Sequence, residues 1–125
     1  MKMMNPYFHE EETVFFETDK YVYRKDKKEP MRLYVSLYCI DEEFGYPEPY
    51  ADVTVNIPDY PLSDENCAFL DTNNAPFVVE LLTKYNCGKF TGRYAYSGYC
   101  AYPEFRFDME TLKKYTGIES VKAED

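Results

Sequence analysis

The sequence predicts an α+β domain, an antiparallel sheet of about five to six short strands with two helices packed on one face. Three observations predict it. Met31, Leu33, Val35, Leu37 and Cys39 alternate with Arg32, Tyr34, Ser36 and Tyr38, and Ala51, Val53, Val55 and Ile57 alternate with Tyr50, Asp52, Thr54 and Asn56. Such period-2 runs mark half-buried strands, and the short connection with Gly45, Pro47 and Pro49 makes them an antiparallel pair. By contrast, Phe77, Val78, Leu81, Leu82 and Tyr85 repeat at helical spacing and form one stripe that can dock on a sheet. The third observation is length: 125 residues with 45% hydrophobic and 18% aromatic content suit a single core.

Taken in order, residues 1–12 read as a flexible lead-in ending in the polar run His9-Glu10-Glu11-Glu12, and residues 13–117 as the domain. Strand residues Val14-Phe15-Phe16 and Tyr21-Val22-Tyr23 precede an exposed, charged connection at 24–30. The two alternating runs follow, ended by Pro58 and Pro61, and Cys67-Ala68-Phe69-Leu70 is short enough to be buried on both sides. Asp71 and Asn74 are expected to cap a helix over about Ala75–Asn86, because their side chains can accept from free first-turn N–H groups. Gly88 is its expected stop. Tyr94 to Phe107 reads as two short strands or a bent hairpin, Asp108 as the cap of a last helix carrying Met109, Leu112 and Tyr115, and residues 118–125 as a frayed acidic tail.

Charge is distributed unevenly. The chain carries 14 Lys and Arg against 23 Asp and Glu, a net charge of −9, and no cation lies between Arg32 and Lys84. Ten acids fall in that gap. Asymmetry of this kind bears on partners more than on fold. The expected partner-binding residues are Asp41, Glu42, Glu43, Glu48 and Asp52, with Tyr34, Tyr38 and Tyr50 as anchors, since tyrosine combines rigid contact area with a hydrogen-bonding tip. The plainer alternative is that acids keep the protein dissolved and the tyrosines lean on cross-strand neighbours.

Chemistry of other kinds has little support. His9 is the single histidine, and no Ser or Cys nucleophile is tied to it by sequence context. Cys39, Cys67, Cys87 and Cys100 match neither a redox pair nor a zinc spacing, so four free thiols, no metal and no cofactor are expected, in a reducing cytoplasm. No apolar stretch is long enough to span a membrane. The basic residues Lys20, Arg24, Lys25, Lys27, Lys28 and Arg32 are interrupted by Asp26 and Glu29, and direct nucleic-acid binding is not expected.

The strings Pro49-Tyr50-Ala51-Asp52-Val53-Thr54-Val55-Asn56, Asn66-Cys67-Ala68-Phe69-Leu70-Asp71-Thr72-Asn73-Asn74, Thr91-Gly92-Arg93 and Ser97-Gly98-Tyr99-Cys100 resemble an uncharacterised family of small domains. Its members are carried on plasmids and conjugative elements of gut bacteria. The resemblance spans roughly residues 32–115 and implies an accessory protein of a mobile element. Such an element has to disarm nucleases that hold DNA in positive grooves, and an acidic fold competes for those grooves. The leading expectation is therefore an interaction protein that inhibits a host defence nuclease, of the anti-CRISPR or anti-restriction type, by nucleic-acid mimicry. Its partner would be a protein, a nucleic-acid-binding nuclease, and Arg93 is kept as a structural cation paired with Asp71. The rivals are an enzyme with a polar site around Asp71, Asn73, Arg93, Ser97 and Cys100, and a homodimeric assembly or regulatory module of conjugation. Convergence of those five side chains in one pocket would favour the enzyme.

Overall fold

The alternating runs do form strands, but in two sheets instead of one. The structure, a computed structural model, describes residues 1–21, 31–41 and 43–122. Glu42, Val22 and Tyr23 of the expected strand at 21–23, the connection at 24–30 and the last three residues lie outside the described residues. In chain order the elements are β1 (Lys2–Met4), β2 (Glu11–Lys20), β3 (Leu33–Ile40), β4 (Pro47–Asp52), β5 (Thr54–Val55), β6 (Cys67–Leu70), α1 (Val78–Lys84), β7 (Gly88–Ser97), β8 (Cys100–Phe107), α2 (Met109–Lys114) and α3 (Ile118–Lys122). One antiparallel sheet has the order β1-β2-β3-β4, the other β5-β6-β8-β7.

The division falls at Val53. Its N–H donates to Val35 O at 2.9 Å while its carbonyl accepts from Asp71 N at 2.9 Å, so one residue closes both sheets. The expected strand at 51–57 is thus a bent ribbon that leaves the first sheet after Asp52 and enters the second at Thr54. A strand that changes sheets at a bend is a general way to make a corner.

The main core lies between the inner face of β2-β3, one face of β6-β8, and the helices. Val14, Phe16, Val35 and Leu37 meet Ala68, Leu70, Phe105 and Phe107, with Val78, Leu82 and Leu112 closing the sides. A smaller cluster of Ile57, Phe69 and Ala95 occupies the opposite face of the second sheet, beneath Leu62 and Tyr60. Met31, expected on the inward side, is 55% exposed because it precedes the strand.

The first twelve residues are a second correction. They carry β1 and the start of β2, and Met1 and Met3 reach the main core at 1% and 7% exposure. Met1 and Val14 exchange backbone hydrogen bonds of 2.9 Å. Burying two methionine side chains offsets the entropy of ordering so short a strand. At the other end, residues 118–122 form α3 in place of the expected frayed start. The chain is fastened ahead of it by Phe16 N–H donating to Tyr115 O and Gly117 N–H donating to Phe16 O, both at 2.8 Å.

Both helical expectations shorten. The N-cap position of α1 is Phe77, with no side-chain hydrogen bond, so Asp71 and Asn74 do not cap it. Asp71 Oδ1 instead accepts from Asn74 N–H at 3.3 Å, and its carbonyl accepts from Ala75 N–H at 2.8 Å, closing the loop one turn earlier. Asp108 sits at the N-cap of α2 with Oδ1 accepting from Glu110 and Thr111 N–H, each at 3.1 Å. Asp108→Ala is expected to lower stability by about 1 kcal/mol in urea unfolding, and Asn74→Ala by much less. Equal effects would count against this assignment of caps.

The aromatic stretch is one long hairpin. Its two-residue turn has Gly98 at φ 60°, a conformation that glycine adopts freely and that matches the twist of the flanking strands. All four cysteines are free. Cys67 and Cys87 are buried, and burial pushes each thiol up to about 11. Cys39 is partly exposed on the core side of β3. Among the described residues no helix is long and apolar enough to cross a membrane.

Candidate functional site

Strand pairing decides which expected partner-binding residues share a surface. Ser36 pairs with Asp52 and Leu37 with Ala51, then the register shifts, and Tyr38 pairs with Pro49 and Cys39 with Glu48. The extra residue in this bulge is Tyr50. Two neighbours on the bulged strand then face one partner, and Tyr50 turns to the core side, edge-on to Phe77 at 5.7 Å. Burial, followed by the nearby Glu12 carboxylate, pushes its phenol up to about 12. Tyr50 is therefore a packing residue and not an outward anchor beside Tyr34 and Tyr38. Glu48, opposite Cys39, sits on the same side as Tyr50, and its charge with that of Glu12 adds to burial in raising the Cys39 thiol.

Tyr34, Tyr38 and Asp52 do share the outer face. Tyr34 Oη donates to Asp52 Oδ1, and this bond, followed by burial, pushes the phenol up to about 12. Tyr38 stacks on Phe15 with centroids 5.7 Å apart. Glu17 and Asp19 join them from β2, through the pairs Glu17↔Ser36 and Asp19↔Tyr34. Phe15, Glu17, Asp19, Tyr34 and Tyr38, with Pro47 and Ile118, line a shallow groove of about 360 Å³. Both tyrosines thus lean on neighbours, and the open features of the face are its carboxylates.

The remaining acids cluster at the turn between β3 and β4. Asp41 Oδ1 accepts from Glu43 N–H at 2.8 Å and from Phe44 N–H at 3.2 Å, so this carboxylate shapes the turn. The turn displays Phe44 and Tyr46, 65% and 68% exposed, with ring centroids 6.4 Å apart. Glu43 and Glu48 are exposed on either side of them in the chain. This aromatic pair was missed in the sequence, although two aromatics around Gly45 with acids on both flanks were there to be read.

Residues of the enzyme reading divide: Cys100, by a hydrogen bond, and Asp71, by its charge, both act on Tyr102 and raise its phenol, whereas Arg93 is bonded elsewhere. Arg93 pairs with Glu104 at 2.9 Å and not with Asp71, whose carboxylate holds Asn74. Glu104 is fully buried and accepts from Ser63 Oγ at 2.6 Å, Ser63 N–H at 3.0 Å and Thr91 Oγ1 at 2.7 Å. Burial works against its charge, but these bonds and the Arg93 guanidinium outweigh it and hold the carboxyl below the usual carboxylate range. Thr91 and Arg93 of the recognised Thr-Gly-Arg string therefore solvate one buried carboxylate. Asn73 and Ser97 are exposed elsewhere. Among the described residues no group of three His, Cys, Asp or Glu side chains is placed to hold a metal.

Fold and surface define a small two-sheet domain with an acidic outer face and an aromatic-tipped hairpin, without an assembled catalytic group among the residues singled out. Residues 19–124 match the family described as Domain of unknown function (DUF4313), and the chain belongs to it. The match extends past both ends of the span that carries the sequence resemblance. No curated protein and no solved structure matches the chain.

Proposed function

We propose that this chain is an acidic interaction protein that holds a cationic surface of a protein partner against its β3–β4 hairpin. In its sharpest form the partner is a host defence nuclease, of the CRISPR or restriction type, and the chain is an accessory of a mobile element that competes for the nuclease's nucleic-acid groove. The observation that carries this reading is the turn at 41–46, where the exposed pair Phe44 and Tyr46 stands among Glu43, Glu48 and the turn-forming Asp41. Aromatic anchors supply affinity, and surrounding carboxylates supply steering toward positive charge. On the outer face of the same sheet, away from Glu48, Glu17 and Asp19 of β2 add two further carboxylates, about 6.5–7 Å apart as side chains two residues apart on a strand are.

Inhibition of a panel of purified CRISPR and restriction nucleases, titrated at low and high salt, tests the proposal. The Glu43→Lys/Glu48→Lys variant is expected to slow association by about tenfold at low salt. Phe44→Ala is expected to accelerate dissociation and weaken binding by about 2 kcal/mol. Glu119→Lys, on α3, should match the parent protein. Inhibition indifferent to salt and to the double charge reversal would rule out groove mimicry, as would a panel in which no nuclease is inhibited.

A further inference from the structure

The segment from Ile57 to Asn66 has no regular secondary structure, yet three arginines from distant parts of the chain hold it. Arg32 donates through Nη1 to Ile57 O at 3.0 Å and through Nη2 to Tyr60 O at 2.7 Å. Arg93 donates through Nη1 to Ser63 Oγ at 2.9 Å and through Nη2 to Pro61 O at 2.8 Å. Arg106 Nε donates to Asp64 Oδ2 at 2.8 Å. From below, the segment is seated on Phe69 and Ala95 through Ile57, Tyr60 and Leu62. Loop carbonyls are ordinarily left to water, and charge-assisted bonds from planar guanidinium groups fix geometry as well as energy.

What this bracing shapes is a cleft of about 420 Å³ on the outer side of the loop, the size of a small-ligand or peptide side-chain site. Met31, Pro58 and Leu62 supply its apolar surface, and the charged lining is Arg32, Asp59, Asp64 and Glu65. Arg32 is taken up by the two loop carbonyls and Asp64 by Arg106, whereas Asp59 and Glu65 form no ion pair among the described residues. Among the described residues the surplus at the mouth is therefore two carboxylates beside a hydrophobic floor. None of these residues belongs to the hairpin that carries the proposed function.

We infer that this cleft is a preformed receptor for a short cationic segment of a partner protein, one apolar side chain seated on Met31, Pro58 and Leu62 with a flanking Arg or Lys between Asp59 and Glu65. Charge complementarity selects the cation, and the apolar floor selects its neighbour. A loop already held in place loses little freedom on binding, which is how a modest surface gains useful affinity.

Fluorescence polarisation tests this with a labelled Gly-Leu-Arg-Arg-Gly peptide, its Gly-Leu-Glu-Glu-Gly counterpart and Gly-Ala-Arg-Arg-Gly. The first peptide is expected to bind saturably and the other two at least about tenfold more weakly. Asp59→Asn/Glu65→Gln, two exposed positions outside the core, should weaken the first peptide by about tenfold or more, while Glu43→Lys/Glu48→Lys leaves it within about twofold. Dependence on Glu43 and Glu48 instead of Asp59 and Glu65 would overturn the cleft while leaving the hairpin reading intact. Absence of saturation, or equal binding of the three peptides, would also overturn it.

Discussion

Replacing Gly88 with alanine is expected to destabilise the protein by about 3 kcal/mol or more, among the largest effects of any single methyl group in this chain. A Cβ built there would lie 2.0 Å from Arg106 O and 2.7 Å from the Phe105 ring, at φ 156°. Neither neighbour can yield cheaply. Arg106 belongs to β8, which pairs on one side with Cys67 of β6 and on the other with Lys89 of β7, and Phe105 is buried in the main core. Gly98→Ala is the contrast, because the space around its Cβ is open and only the left-handed backbone is strained, at about 1 kcal/mol. Urea unfolding of both variants decides the matter, and a Gly88→Ala protein within about 1 kcal/mol of the parent would refute the clash.

Breaking the Arg93–Glu104 pair comes second. Removing one partner from a buried pair strands the other, usually at about 3–5 kcal/mol, and the 42% exposure of the Arg93 side chain moves the expectation for Arg93→Gln to about 2–3 kcal/mol. The pH dependence has a definite sign. Glu104 is held below its unfolded value, so its contribution is complete above that value, about 4.3, and is lost as pH falls through the folded one. Arg93→Gln, which brings the folded carboxyl back toward its unfolded value, should flatten this part of the profile, and Glu104→Gln should remove it. Unfolding free energies between about pH 3 and 7 provide the check. Superimposable profiles for parent and Glu104→Gln would show that the carboxylate is not linked to folding.

How much could be read beforehand depended on the range of the interaction. The β3 alternation and the Asp108 side chain act within a few residues, and both are visible in the chain itself. The bulge at Tyr50 was not, because a one-residue slip leaves the alternation of Ala51, Val53 and Val55 unchanged while reversing the face of the residue before them. β1 was hidden for a different reason: Met1, Met3 and Asn5 alternate with Lys2 and Met4, but three strand residues are too few to distinguish from chance. The acidic gap between Arg32 and Lys84 needed only counting, whereas the aromatic pair that crowns it needed the turn. The arginine bracing was out of reach, since Arg32 and Arg93 spend donors on backbone carbonyls, which every residue offers and none advertises.

Val53 has a bearing on how the molecule comes apart. With its amide bonded to Val35 and its carbonyl to Asp71, and its side chain fully buried, it acts as a rivet through which neither half can open alone. Local fluctuations that fray the hairpin tips should leave its amide shut away from solvent. Hydrogen exchange at Val53 is then governed by global unfolding, and the two halves melt as one cooperative unit.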